Sequence, residues 1–353
     1  MTNKLPKIRS MVWPIIYDSL YWSRLLLLLI KNERKDNLEE LIQLKSFPVQ
    51  ATLNILLKDK TTKKNIIWAT KSYESCGVQY SDDRQITIEG IAGLNSIMIQ
   101  PRTMKAMEQQ QERTKNRAEV FTPSWICNHM NNYCDEEWFG RKDVFNIEKE
   151  KTWEATTKKI MFPEKKTWEQ YVNSRRLEIT CGEAPFIVSR YDAATGELID
   201  IENRIGILDR KLRVINENTV DEPKWMDWVI RAYQSIYGYE FQGDNLLISR
   251  INLLMTFVDY LNYKWNREPT AAELRKIANI IVWNFWQMDG LTGTVPLGVP
   301  EEGIYQYSLF DFINSMTDMK KEKTDTISPK CRIYDWRASH SILFESLKKG
   351  EIK

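Results

Sequence analysis

Histidine is nearly absent, with only His129 and His340 in 353 residues. The five cysteines, Cys76, Cys127, Cys134, Cys181 and Cys331, form no Cys-x-x-Cys pair. These scarcities argue against a zinc site and against a disulfide framework, so no metal is expected and a reduced, cytoplasmic setting fits. A surplus of one charge is lacking too. Fifty Lys and Arg against 48 Asp and Glu leave a net charge of +2, so any contact with DNA has to come from local patches. The apolar run Leu25 to Ile30 is too short to span a bilayer and is flanked by Arg24 and Lys31, so no membrane span is expected. Its position behind Asp18 makes a poor signal peptide; it reads as a buried helix. Finally, no Pro-Pro dipeptide occurs anywhere.

What is present is an ordinary globular composition, 42% hydrophobic and 28% charged, in a chain long enough for two domains or one elaborated one. Residues 15–31 and 34–45 read as helices. Residues 51–59 and 64–70 read as a strand hairpin across a Lys/Thr turn, and 77–81, 85–90 and 96–100 as further strands. Residues 1–101 are therefore expected to form an N-terminal α+β unit. The polar stretch 102–117 reads as a linker helix. Its Arg113 to Arg117 cluster reads as a solvated face. Beyond it, strands and helices alternate. Residues 124–133 and 184–191 read as helices and 175–179 as a strand. Residues 223–238 and 244–265 are helices by their apolar 3–4 spacing. Thr270 with Glu273 forms a capping box opening a helix over 270–281. Strands at 284–289 and 331–335 follow, with helices at 307–316 and 338–350.

The informative stretch is Leu177-Glu178-Ile179-Thr180-Cys181-Gly182-Glu183-Ala184-Pro185-Phe186. A strand ends in an acid, a small-residue turn follows, and a helix is expected to start. Backbone approaches ligands closely at such turns, and Gly182 permits that approach. Two more strands end in carboxylates, at Asp289 and at Asp335, the latter followed by Trp336. Three parallel strands ending in acids would line one crevice suited to a nucleoside with an amino-acid tail.

This series resembles the amino-group DNA methyltransferases of restriction-modification systems, specifically the N6-adenine type. Phe121-Thr122-Pro123 resembles the family's Phe-Thr-Pro before a helix. Residues 177–186 resemble its Leu-Asp/Glu-Pro-Ala-Cys-Gly-Ser-Gly-Ala-Phe. Residues 284–289 resemble its Asn-Ile-Tyr-Gly-Val-Asp at the second strand, and Cys331 to Trp336 its third-strand acid-aromatic pair. The segments occur in the family's order over residues 112–347. The resemblance implies an α/β, Rossmann-like S-adenosylmethionine-binding sheet over 102–353, with a helical insertion at about 192–263. It implies that Phe121, Thr122, Pro123, Glu178, Thr180 and Gly182 surround the methionine end. By the same resemblance Asp289 binds the ribose, and Asp335 with Trp336 holds the adenine. Two departures stand out: Ile179-Thr180 replaces Pro-Ala, and Glu183-Ala184 replaces Ser-Gly.

The family's Asn/Asp-Pro-Pro-Tyr/Phe, which accepts the target amine and stacks on the flipped base, is missing. No catalytic residue is therefore expected here. The expectation is a cofactor-binding subunit completed by a second chain that carries the motif, with DNA as substrate. That second chain would pair with the open edge of the 175–179 strand. The alternatives are a non-catalytic methyltransferase remnant and a DNA-binding or assembly subunit. A downstream reading frame opening on a strand and Asn-Pro-Pro-Tyr separates them.

Overall fold

A computed structural model of the chain describes residues 42, 44–94, 96–105, 122–298 and 327–348. The helices expected at 15–31 and 307–316, the basic cluster at 113–117 and Phe121 lie outside these residues, as does nearly all of 34–45. Among the described residues the chain is a mixed α/β structure built on a three-stranded parallel sheet. None of its described helices is long and apolar enough to cross a membrane.

The first stretch departs from the expected hairpin. Residues 51–59 belong largely to helix α1, Val49–Leu56. Val49, Leu53 and Leu56 are buried at helical spacing, a period that the continuous apolar run hid. Residues 64–70 and 85–90 contribute only isolated bridges, Lys58 to Asn65 and Ile67 to Gln85, before helix α2, Ile88–Ala92. The other two expected strands are also absent: Val78–Tyr80 is a 3-10 turn and 96–100 has no regular structure.

Helix α3, Ser124–Phe139, leads to the hairpin β1 (Asn146–Lys149) and β2 (Thr152–Ala155), then to the short α4, Trp168–Asn173. Strand β3, Arg176–Glu178, opens the parallel sheet. After it come α5 (Ile207–Asn218), α6 (Glu222–Gln234), β4 (Ile236–Glu240), α7 (Gly243–Trp265), α8 (Ala271–Asn284) and β5 (Phe285–Gln287). The sheet order is β3-β4-β5, all parallel, with Leu177 opposite Tyr237 and Tyr239 opposite Trp286.

The central strand β4 corrects two expectations. Residues 192–263 are not a helical insertion beside the sheet, because they supply its middle strand. The helix expected over 223–238 stops at Gln234. Ile236-Tyr237-Gly238-Tyr239-Glu240 then runs extended, with every residue buried. A strand covered on both faces shows no alternation, and β-branched and aromatic side chains suit it. Gly238 is required by space: a Cβ there would lie 2.6 Å from the Phe285 ring.

Ile236 and Phe285 face the main core with the largely buried helix α7. Tyr237, Tyr239 and Trp286 face a smaller core formed with Cys331, Ile333 and Phe344. Cys331 precedes β6 (Arg332–Asp335), which holds Ile333; the strand β7 (His340–Leu343) packs Ile342 against them, and Phe344 opens the helix α9 (Phe344–Lys348). Here too expectation fails. Strand β6 does not join the parallel sheet but pairs antiparallel with β7, where a helix was expected.

Residues 44–105 share the main core, and α1 packs on α7 and α8. The buried Arg250 of α7 donates to the carbonyls of Leu56, Lys58 and Phe285, tying α1 to β5. The Gln287 amide takes and gives 2.9 Å hydrogen bonds with the backbone of Ile67, so a side chain serves where a neighbouring strand would.

A second buried guanidinium holds α3. Arg210 meets Asp135 at 2.5 Å and donates to Asn128 and Asn132 at 2.8 Å each. Removing one partner of a buried pair strands the other charge. Arg210→Met should cost about 3–5 kcal/mol in urea unfolding, and Arg210→Met with Asp135→Leu should recover part of it. A loss below ~1 kcal/mol for the single variant would refute the coupling.

Candidate functional site

Where β3 ends, the backbone makes a turn that ordinary residues resist. Thr180, Gly182 and Ala184 have φ of 46°, 53° and 64°. Alternate left-handed residues fold the chain tightly, and for a non-glycine each costs roughly 1–2 kcal/mol. The Cys181 amide donates to the Tyr239 carbonyl at 2.9 Å, continuing the ladder to β4 past the end of β3. Because Ala184 is left-handed and is followed by one turn only, the helix expected over 184–191 does not form. Ser189 instead donates to the buried Asp209 of α5, and Tyr191 bridges to Leu198.

The turn brings two carboxylates together. Glu240, at the end of β4, accepts from the Gly182 amide at 2.8 Å and from the Gln242 amide at 3.0 Å. Glu178, 9% exposed, accepts from the Phe186 amide at 3.4 Å through one oxygen. Its other oxygen, Oε2, is buried and meets no hydrogen-bond partner among the described residues. Burial, and then the neighbouring Glu240 carboxylate, push Glu178 well above the usual carboxylate range, against a downward pull from the Phe186 and Ile187 amides.

The first motif lies close by. The Ser124 amide at the start of α3 donates to Asp192 at 2.6 Å, and Asn131 of α3 donates to the Phe186 carbonyl at 3.0 Å. Cys127 of α3 donates to the Thr122 carbonyl, and its thiol is pushed up by burial and then by Glu178 and Asp192. Thr122 and Pro123 therefore enter the helix whose first turns flank Glu178. Over the same edge, Glu183 accepts from the Arg102 amide at 2.7 Å, and Lys105 pairs with Asp244 of α7 at 3.1 Å.

Three parallel strands do end in acids, but not the three expected. Asp289 lies two residues past β5 on the same edge and accepts from the Leu291 and Thr292 amides of its own turn. The middle acid is Glu240. Asp335 and Trp336 are at the opposite edge of the sheet. Asp335 pairs with Arg175, just before β3 begins, at 3.2 Å. Trp336 donates to Asn284, which precedes β5. Strand β6 crosses the sheet face from Cys331, bonded to the Gln287 carbonyl, to that far edge. Thr180 is exposed, its hydroxyl turned to the Ile179 carbonyl.

Glu240 is the residue that sequence reading missed. The signal was present: Ile236-Tyr237-Gly238-Tyr239-Glu240 fits Ile-Tyr-Gly-Val-Asp more closely than residues 284–289 do. Among the described residues, no three His, Cys, Asp or Glu side chains are arranged to hold a metal ion. Compared with known proteins, the chain matches no family model, no curated protein and no solved structure.

Between the ordinary carboxylate pKa and the raised one of Glu178, the folded chain keeps a proton that the unfolded chain has released. Stability from this group therefore falls as pH rises through that window. Glu178→Gln keeps the shape without ionising. It should stabilise the chain by about 1–3 kcal/mol at pH values above the window, with little effect near the ordinary carboxylate pKa. Urea unfolding across that pH range checks this, and equal stability of the two proteins at the alkaline end would refute it.

Proposed function

We propose that the chain binds S-adenosylmethionine at the carboxyl edge of β3, β4 and β5. In this reading it is the cofactor-binding part of an N6-adenine DNA methyltransferase of a restriction-modification system, and the Asn-Pro-Pro-Tyr segment comes from outside these residues. One observation carries this reading. Glu178 and Glu240 end adjacent parallel strands across a tight turn, and Glu178 has a buried oxygen with no partner among the described residues. A buried acceptor without a partner costs free energy until a donor arrives, and an amino-acid ammonium is such a donor. Glu178 takes the methionine ammonium, and the left-handed turn around Gly182 lets the backbone approach. Glu240 replaces Asp289 as the acceptor for the ribose hydroxyls. Asp289, one strand further along the same edge, takes the adenine amine in place of Asp335.

When bound, S-adenosylmethionine supplies the methyl group. This chain's residues orient it and exclude water from the methionine end. Because a cation favours ionised Glu178, binding releases a proton, and affinity should fall as pH drops through the raised pKa. Titration calorimetry with S-adenosylmethionine tests the assignment. Glu178→Ala and Glu240→Ala should each weaken binding about 10- to 150-fold, the equivalent of losing a hydrogen bond to a charged group. Asp335→Ala should leave it unchanged. No heat from the chain, alone or with a polypeptide supplying Asn-Pro-Pro-Tyr, would refute the cofactor reading. Methyl transfer from labelled cofactor to mixed-sequence DNA should need both.

A further inference from the structure

The opposite edge of the sheet carries the opposite chemistry. An open cleft of about 1330 Å³ lies there, between α6, the turn before β3, α8 and the β6–β7 turn. Arg231 of α6, Lys276 of α8 and Arg337 of the β6–β7 turn line it and are exposed. None of the three makes an ion pair among the described residues. The other lining cation, Arg175, is paired with Asp335. Among the described residues, Asp227 is the one acid that lines the cleft. Two half-buried indoles complete it. Trp228 is backed by Trp168, with ring centroids 4.6 Å apart, and Trp336 by Tyr334, 4.5 Å apart.

Three cations that make no ion pair among the described residues, in one concavity, attract a chain of phosphates, and aromatic rings among them accept stacked bases. Bases within a duplex are already stacked on one another, so this combination suits an unpaired strand. We propose that this cleft binds a single strand of nucleic acid. Its phosphates lie along Arg231, Lys276 and Arg337, and its bases lie against Trp228 and Trp336. The site goes beyond the proposed function: it lies at the opposite edge of the sheet from the proposed cofactor site and does not depend on it.

The test is fluorescence anisotropy of a labelled oligothymidylate of about a dozen nucleotides against the full chain. The triple variant Arg231→Gln, Lys276→Gln, Arg337→Gln should weaken binding at least about tenfold at low salt. It should also lower the slope of log affinity against log salt by about 2, near 0.7 for each phosphate contact. Trp228→Leu should weaken binding roughly 5- to 100-fold. All three cations are exposed, so the triple variant should melt like the parent, and its S-adenosylmethionine titration should be unchanged. Wild-type affinity and salt slope in the triple variant would overturn the proposal. Equal affinity for a duplex of the same length, with Trp228→Leu without effect, would overturn its single-strand part. Loss of strand binding with intact cofactor heat, or the reverse, tells failure of this site from failure of the cofactor reading.

Discussion

A carboxyl group buried beside a second carboxyl group, with no cation paired to it among the described residues, is the constraint around which this structure is arranged. Ionised together, Glu178 and Glu240 would be driven apart. Backbone prevents it. The parallel pairing of β3 with β4 fixes both strand ends, the Cys181 amide extends that pairing, and the Gly182 amide is spent on Glu240. Helix α3 is pinned beside them by Arg210 and by Asn131, whose amide reaches the Phe186 and Ile205 carbonyls. Stability is given up locally and recovered in the surrounding core, which is what the proposed cofactor site calls for.

How much of this was legible depended on how local its cause was. Helix α7 declares itself by length and apolar density, and α8 by Thr270 and Glu273, whose reciprocal hydrogen bonds are present. Strands β3 and β5 were readable from short apolar runs ending near acids. What escaped was set by tertiary neighbours. Strand β4 continues the apolar spacing of α6, and only a sheet on both sides makes it extended. Only one turn follows the left-handed Ala184, and Ser189 beyond it bonds to Asp209, 20 residues further along the chain. Asp335 looked like a third strand-end acid because a local pattern carries no information about which way β6 crosses the sheet.

The two ends of the sheet therefore differ in kind. At the carboxyl ends of the strands, acids are concentrated and mostly desolvated, which favours hydroxyl and ammonium donors. At the amino ends, cations stand in open solvent among half-covered rings. A near-neutral chain achieves both by segregation, so its net charge of +2 says little about either surface.

The two borders of the parallel sheet differ in what they leave open. At β5 the outward carbonyls are already taken, that of Phe285 by Arg250 and that of Gln287 by the Cys331 thiol. The β3 border is different. In a parallel ladder where Arg176 bonds to β4, the N–H and C=O of Leu177 point outward, and its side chain is 46% exposed. Growth of this sheet is therefore one-directional. A strand added there enters beside Glu178, next to the turn that holds the two carboxylates.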